Sequence, residues 1–268
     1  MLLAKIFYFS GTGNSYQVAK KIGMRIDDCE LIKITYKTRN IIHEDDVIGI
    51  IFPVYYFGLP EVVENFLFNF DFKSGSYLFV IATRGIPIAG GVRKQLVEIL
   101  GNKISYFQYI TMGDNFNIDF WDSSSIKTKE LRNSQCDAAI PKIAMSINCR
   151  LEKKRYMLVD FLWFITKKFP RYGYNTYLNN IYNSDNSFYV NDKLCTKCNK
   201  CVRSCPVENI KLDKKILWMH NNCQLCLGCY HCCPNNAIQY NNGNLTTIGK
   251  RQYWNFDDDY SLNGKKTL

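Results

Sequence analysis

Residues 2–9 (LLAKIFYF) form a short, almost wholly apolar run, and the YQVAKKIGMRI behind it places Val18, Ala19, Ile22 and Ile26 on one helical face. The step repeats along the chain. Residues 31–35 (LIKIT) predict a second strand and residues 47–52 (VIGIIF) a third, apolar throughout as a strand covered on both faces must be. Pro60 then opens a helix at a position where its missing amide costs little. Residues 77–83 (YLFVIAT) predict a fourth strand, 92–100 its helix, and 103–112 a fifth strand. Strands alternating with helices predict an α/β fold with a doubly wound, five-stranded parallel sheet. Ligands of such sheets lie beyond the carboxyl ends of the strands.

The loops at those ends hold the polar chemistry. Ser10, Gly11, Thr12, Gly13, Asn14 and Ser15 (SGTGNS) join the first strand to its helix. Two glycines let backbone amides converge, Thr12 and Ser15 add hydroxyls, and the helix presents its positive end. With no basic residue in the loop, a dianionic phosphate monoester such as that of FMN suits it. A Walker loop needs GxxxxGK and then Ser or Thr, and a dinucleotide fingerprint needs Gly where Tyr16 stands, so both are excluded. Pro53, Val54, Tyr55, Tyr56, Phe57 and Gly58 make an aromatic turn after the third strand. Thr83, Arg84, Gly85, Gly90 and Gly91 mark the loop after the fourth, and Asn115 the loop after the fifth.

The end of the chain follows a different pattern. CTKCNKCVRSCP (Cys195 to Pro206) and CQLCLGCYHCCP (Cys223 to Pro234) are both C-x2-C-x2-C-x3-C-P strings, and Cys223 follows Cys195 by 28 positions with every cysteine and proline in register. This is the spacing with which bacterial two-cluster proteins hold 4Fe-4S cubanes. Three thiolates of one tight loop take three corners, and the fourth, at the Cys-Pro step, reaches the other cluster. Cys195, Cys198, Cys201 and Cys233 are therefore expected to hold one cluster, and Cys223, Cys226, Cys229 and Cys205 the second. Cys232 is left as a packed or spare thiol. Zinc ribbons need two Cys pairs rather than a triplet plus Cys-Pro. A disulfide framework does not fit a start such as MLLAKIFYFSGTG, in which no signal peptide is read, so a reducing cytoplasm is expected. Cys29, Cys136 and Cys149 are expected to be ordinary buried thiols.

SGTGNS resembles the Ser/Thr-x-Thr-Gly-x-Ser/Thr loop of flavodoxins, and the cysteine strings resemble a two-cluster bacterial ferredoxin, so the whole resembles a flavodoxin-ferredoxin fusion. The resemblance implies strand order 2-1-3-4-5, FMN and two 4Fe-4S clusters. Its expected divisions are 1–149 for the FMN domain, 150–185 for a helical connector and linker, and 186–268 for a small α+β ferredoxin domain with a tail. It further implies that SGTGNS binds the flavin phosphate and that the next two loops sandwich the ring system. Tyr55, Tyr56 and Phe57 are then stacking candidates, with packing as their plain alternative. Gly58 N–H would face flavin N5. Arg84 would raise the flavin potential near N1 or else serve as a solvated arginine.

Charge narrows the partners. The chain has 268 residues, 34 Lys and Arg against 24 Asp and Glu, and a formal charge of +10. Two clusters and a flavin phosphate, at about −2 each, leave roughly +4. That balance suits acidic protein redox partners, and no nucleic-acid motif is found. Residues 125–148 predict a helix broken near Pro141. Residues 150–169 predict a basic, aromatic helix, with seven Lys or Arg between Arg150 and Arg171. It suits an anionic membrane surface, an interdomain packing role, or docking of an acidic partner. A Tyr- and Asn-rich linker follows, which either lets the cluster domain swing or fixes it. The tail is expected to give a closing strand, a loose end and a solvated patch at residues 257–259. The expected function is electron transfer, fitted to anaerobic metabolism. The rival is an FMN-dependent reductase of a quinone, nitro compound or enone, fed by the clusters.

Overall fold

The computed structural model describes residues 4–38, 44–87, 91–116, 125–153, 184–219, 222–242, 245–248, 252, 253, 255, 256 and 265–267. Five parallel strands, β1 (Ala4–Tyr8), β2 (Cys29–Lys33), β3 (Val47–Pro53), β4 (Tyr77–Arg84) and β5 (Ile104–Thr111), lie in the flavodoxin-like order 2-1-3-4-5. The apolar runs of β3 and β4 are buried on both faces. Helices α1 (Asn14–Gly23) and α4 (Ile126–Asn148) bury Val18, Ala19, Ile22, Ile140, Ile143 and Ile147 on one face. Helices α2 (Glu61–Phe68) and α3 (Val92–Leu100) bury Val62, Val63, Phe66, Leu67 and Leu96 on the other.

Two sequence expectations need correction, and the expected closing strand is found at the edge of the N-terminal sheet. The sheet has a sixth strand, because the Lys265–Thr267 end of the tail pairs antiparallel with β2, whose outer edge would otherwise leave its amides and carbonyls without strand partners. The tail therefore belongs partly to the N-terminal unit. Helix α4 runs unbroken through Pro141, which lies on the exposed side, where the carbonyl deprived of its amide partner can be hydrated. Ser125 caps that helix by accepting from Thr128 N at 3.2 Å. Cys149, just past its end, is exposed, whereas Cys29 and Cys136 are buried and pushed up to about 12 by desolvation. The expected basic helix and linker fall mostly outside the described residues. No described helix is long and apolar enough to cross a membrane.

The C-terminal unit contains β6 (Phe188–Val190), α5 (Lys200–Ser204), the hairpin β7 (Ile210–Leu212) and β8 (Ile216–Trp218), α6 (Gly228–His231), β9 (Ile238–Asn242) and β10 (Leu245–Thr246). The sequence repeat is also a backbone repeat. Lys197 and Leu225, Asn199 and Leu227, and Glu208 and Asn236 are all left-handed, each pair 28 positions apart. Asn209 N donates to Cys205 Sγ and Ala237 N to Cys233 Sγ, both at 3.2 Å. The left-handed residues turn successive amides inward, which is how a short loop makes a concave anion site.

The two units are docked through buried side chains. Val207, from the second unit, packs into the α2–α3 side of the first unit's core. Gln224, 1% exposed, accepts from Val62 N at 3.0 Å, so that a side chain of one unit caps a helix of the other. Its amide nitrogen donates to Tyr36 Oη at 2.8 Å and Glu61 Oε2 at 3.2 Å. Gln224→Leu leaves the Val62 amide buried without that acceptor, and is expected to cost about 1–3 kcal/mol. Anaerobic denaturant unfolding followed by fluorescence checks this; an unchanged midpoint would contradict the capping role.

Candidate functional site

Two cavities lie in the C-terminal unit, each walled by four cysteines. One, of about 20 Å³, is lined by Cys195, Cys198, Cys201 and Cys233. The other, of about 20 Å³, is lined by Cys205, Cys223, Cys226 and Cys229. Each wall thus takes three cysteines from one loop and one from the other. Mutual electrostatics give the same grouping apart from Cys232, which interacts with cysteines of both sets. Burial first, and then Cys233, Cys198 and Cys195, push the Cys201 thiol up to about 11. Burial pushes Cys226 up to about 12, with Cys205 adding to the rise. Cys229 is held well above its ordinary value by burial, then by Cys223, Cys226, Cys232 and Cys205.

Bare thiolates are costly in such places, and a cluster's iron supplies the compensating positive charge. Four sulfurs on one zinc would lie within about 4 Å of each other, given Zn–S of about 2.3 Å. Among the described residues, no three Cys, His, Asp or Glu close in as the ligands of one ion do. The four thiols at each site line one shared pocket, the grouping that the four corners of a cubane need. N–H groups of Asn209, Ala237 and Leu225 point at the cysteine sulfurs, the kind of contact that tunes cluster potentials. Cys232 stands apart from both linings, with its sulfur 3.2 Å from Ser204 Oγ.

The Ser10–Ser15 loop lies against the second cavity. Gly13 has φ +106°, a left-handed conformation that glycine adopts without strain. No side chain caps α1, so its first-turn amides remain directed at the loop. Ser10, Thr12 and Ser15 are buried. Ser10 Oγ accepts from Gly13 N at 3.1 Å, and Ser15 Oγ bonds Thr83 Oγ1 at 2.8 Å. Asn115 Nδ2 donates to Thr12 Oγ1. An uncapped helix behind a Gly-Ser-Thr loop fits a phosphate monoester. A Cβ on Gly11 would lie 2.6 Å from Cys226 Cβ, and one on Gly228 would lie 2.6 Å from the Gly11 carbonyl oxygen. The loop and the second cysteine string therefore meet backbone to backbone.

The remaining loops close around this contact. Tyr55 and Gly58 exchange N–H···O bonds of 3.0 and 2.8 Å, while Tyr56 and Phe57 between them sit at φ 43° and 70°. Two aromatics in a left-handed hairpin turn, where Asn-Gly is favoured, store strain. Here the Gly58 amide donates to Tyr55. Tyr55 packs edge-on to Phe9, and its hydroxyl is raised well above its usual value by burial and by Cys226 and Cys223. Tyr56 packs edge-on to Phe116. Pro53 and Val54 are half-buried, and Val54 N donates to Thr83 O. Arg84 lies over the Tyr109 ring at 4.6 Å, with Nε donating to Thr111 at 3.3 Å, so it is directed along β5. Gly85 abuts Asp114, and Gly91 precedes α3. Gly90 is outside the described residues.

Several residues that the sequence did not single out complete the site. His231 is held neutral, its pKa lowered to about 4 by burial. Its Nδ1 accepts from Tyr253 N at 2.8 Å, so Nε2 carries the hydrogen and donates to Asn115 O at 2.8 Å. Asn255 N donates to Thr12 O at 2.7 Å, and Asn255 Nδ2 to Asn14 at 2.9 Å, which lays the tail across the Ser10–Ser15 loop. Phe256 packs at a tilt against Tyr16 there. Lys33, at the end of β2, is 8% exposed. Burial lowers its pKa, while Cys205, Cys226 and Glu208 act in the opposite direction, so its ammonium lies within electrostatic reach of those sulfurs. Lys33→Met is expected to make a cluster there harder to reduce, lowering its reduced-to-oxidised ratio at fixed potential about tenfold, whereas Lys33→Arg preserves it. EPR-monitored redox titration checks the pair; identical midpoints in both variants would rule the role out.

Residues 187–234 match the 4Fe-4S dicluster domain family. No curated protein matches the chain. Similar solved structures include a flavoprotein of Bacteroides uniformis, at 19% identity over 41% of this chain and 90% of that one, with TM-score 0.35. A flavoprotein of Lactobacillus acidophilus in complex with FMN is 15% identical over 41% of this chain and 93% of that one, with TM-score 0.33. The Streptococcus pneumonia TIGR4 flavodoxin is 16% identical over 53% and 99%, with TM-score 0.33.

Proposed function

We propose that this chain is an electron-transfer protein that binds FMN at the Ser10–Ser15 loop and two 4Fe-4S clusters at the cysteine cavities, and exchanges single electrons with protein partners. Bound together, such groups connect one-electron traffic at the cubanes with two-electron chemistry at the flavin. The carrying observation is the shared wall, where Gly11 of the phosphate loop touches Cys226 and Gly228 of the second cysteine string. The residues do the remaining work. Cys205, Cys223, Cys226 and Cys229 hold one site beside that wall, and Lys33 supplies positive charge to it. Gln224 and His231 fix the two units in place, so that the separation does not depend on a swinging linker. Tyr55, half-buried, sets its hydroxyl beside Gly11 and within electrostatic reach of Cys226 and Cys223.

The reading is tested by anaerobic purification with iron, sulfide and flavin counted per chain. About eight irons and one FMN are expected. Flash reduction of the flavin should then bleach the cluster absorption within the same molecule. A protein that binds iron but no flavin, or both without internal transfer, would overturn it.

A further inference from the structure

The 28-residue repeat gives the two cysteine strings the same backbone and opposite surroundings. In the second string, Gln224, Leu225, Leu227, Gly228, Tyr230 and His231 are all buried. Their equivalents in the first are Thr196, Lys197, Asn199, Lys200, Val202 and Arg203, of which Thr196, Lys197, Lys200 and Arg203 are exposed. The ligand positions differ likewise, Cys198 being exposed where Cys226 is half-buried. Apart from Tyr230, whose counterpart is Val202, these docking positions carry a cation or polar residue in the first string. Lys197 stands for Leu225, Lys200 for the Gly228 that meets Gly11, and Arg203 for the His231 that bonds Asn115.

The surface so made has a distinct composition. Between Asp192 and Lys215 there are seven Lys or Arg against three acidic residues, one of which, Glu208, is bonded to Lys37. Leu194, which lines the first cavity, is 46% exposed, and Leu217 on the neighbouring hairpin is 37% exposed. An apolar centre at a redox cavity with a cationic rim is the complement of an acidic protein surface. A lipid surface would satisfy the charge but has no electron to exchange through Cys198.

We propose that the face around Cys198, rimmed by Lys193, Lys197, Lys200 and Arg203, is the port at which a small acidic electron-transfer protein docks, the first cluster site being the outer terminal and the second the inner one. This rests on the electron-carrier reading above. In the exchange, one electron leaves the partner's reduced centre and one arrives at the first site, with no bond made or broken.

The test mixes full-length, cluster-loaded protein in a stopped-flow apparatus with a chemically reduced, acidic bacterial ferredoxin as probe. Lys200→Glu/Arg203→Glu is expected to lower the second-order rate about tenfold or more at low salt, with the difference vanishing at high salt. Lys200→Gln/Arg203→Gln should give a smaller loss. Lys127→Glu/Lys142→Glu, the same charge change on exposed positions of α4, should leave the rate within twofold of wild type. Iron content and reduction by dithionite should be the same in all. Equal losses in the α4 variant, or no loss in the port variants, overturn the port while leaving the carrier reading intact. Reversal that abolishes sedimentation with phosphatidylserine vesicles but not ferredoxin oxidation assigns the face to membrane and overturns it too. Wild-type protein without iron sinks both.

Discussion

Anaerobically purified Cys233→Ala protein is expected to carry about four irons instead of about eight, and the cluster it loses is that of a loop to which Cys233 does not belong. Cys233 lines the cavity of Cys195, Cys198 and Cys201, and its field is felt at Cys201. Combination variants make the crossing visible. Adding Cys198→Ala to Cys233→Ala should remove no further iron, because both act on one cavity. Adding Cys226→Ala should remove nearly all of it, because that cysteine walls the other. If each string held its own cluster, the two outcomes would exchange places. Cys232→Ala should retain about eight irons, its sulfur being occupied with Ser204 Oγ. If Cys233→Ala keeps full iron and Cys232→Ala alone falls to about four, the ligand is Cys232 and the assignment is wrong.

The parts of this molecule that local chemistry determines were legible in the sequence. Five apolar runs separated by helical periodicity led to the five parallel strands, and the boundaries of α3 were read as they stand. The two cysteine strings gave both cavity linings, because a thiol triplet followed by Cys-Pro admits few geometries. What could not be read depends on contacts distant in sequence. Residues 265–267 carry no pattern that names β2 as their partner, and only the unpaired edge of β2 explains their place. Lys33 ends a strand whose interior alternates, so it reads as a solvated terminus until the second unit buries it. Gln224 and His231 occupy variable positions of the cysteine string. Their roles as helix cap and loop anchor exist only once the units meet. One signal was available and unused: the repeat's two copies differ in polarity at matched positions, and a repeat with one apolar face and one cationic face has already declared which side is covered.

That covered side makes Gly228→Val the second large expected effect. Gly228 opens α6 and is not among the left-handed glycines, so valine is conformationally admissible there and the obstacle is steric alone. Its Cβ would stand 2.6 Å from the Gly11 carbonyl oxygen, a backbone atom that cannot rotate away. Relief requires the phosphate loop and the second cysteine string to separate. The bonds near that contact, from Gln224 to Val62 and from His231 to Asn115, stretch with it. The overpacking is expected to cost about 1–3 kcal/mol of stability. The cysteine ligands are untouched, so iron should stay at about eight per chain. Transfer between flavin and cluster should slow by about an order of magnitude, since a displacement of this kind at a reacting pair is amplified in rate. Flash photolysis measures the transfer, and iron analysis with dithionite reduction shows that both terminals remain intact. Lys200→Val, the matched change in the first string, meets no opposing backbone and should leave internal transfer unchanged. Equal internal rates in Gly228→Val and wild type would mean that electrons do not cross at this wall, and that the contact of Gly11 with Gly228 is packing alone.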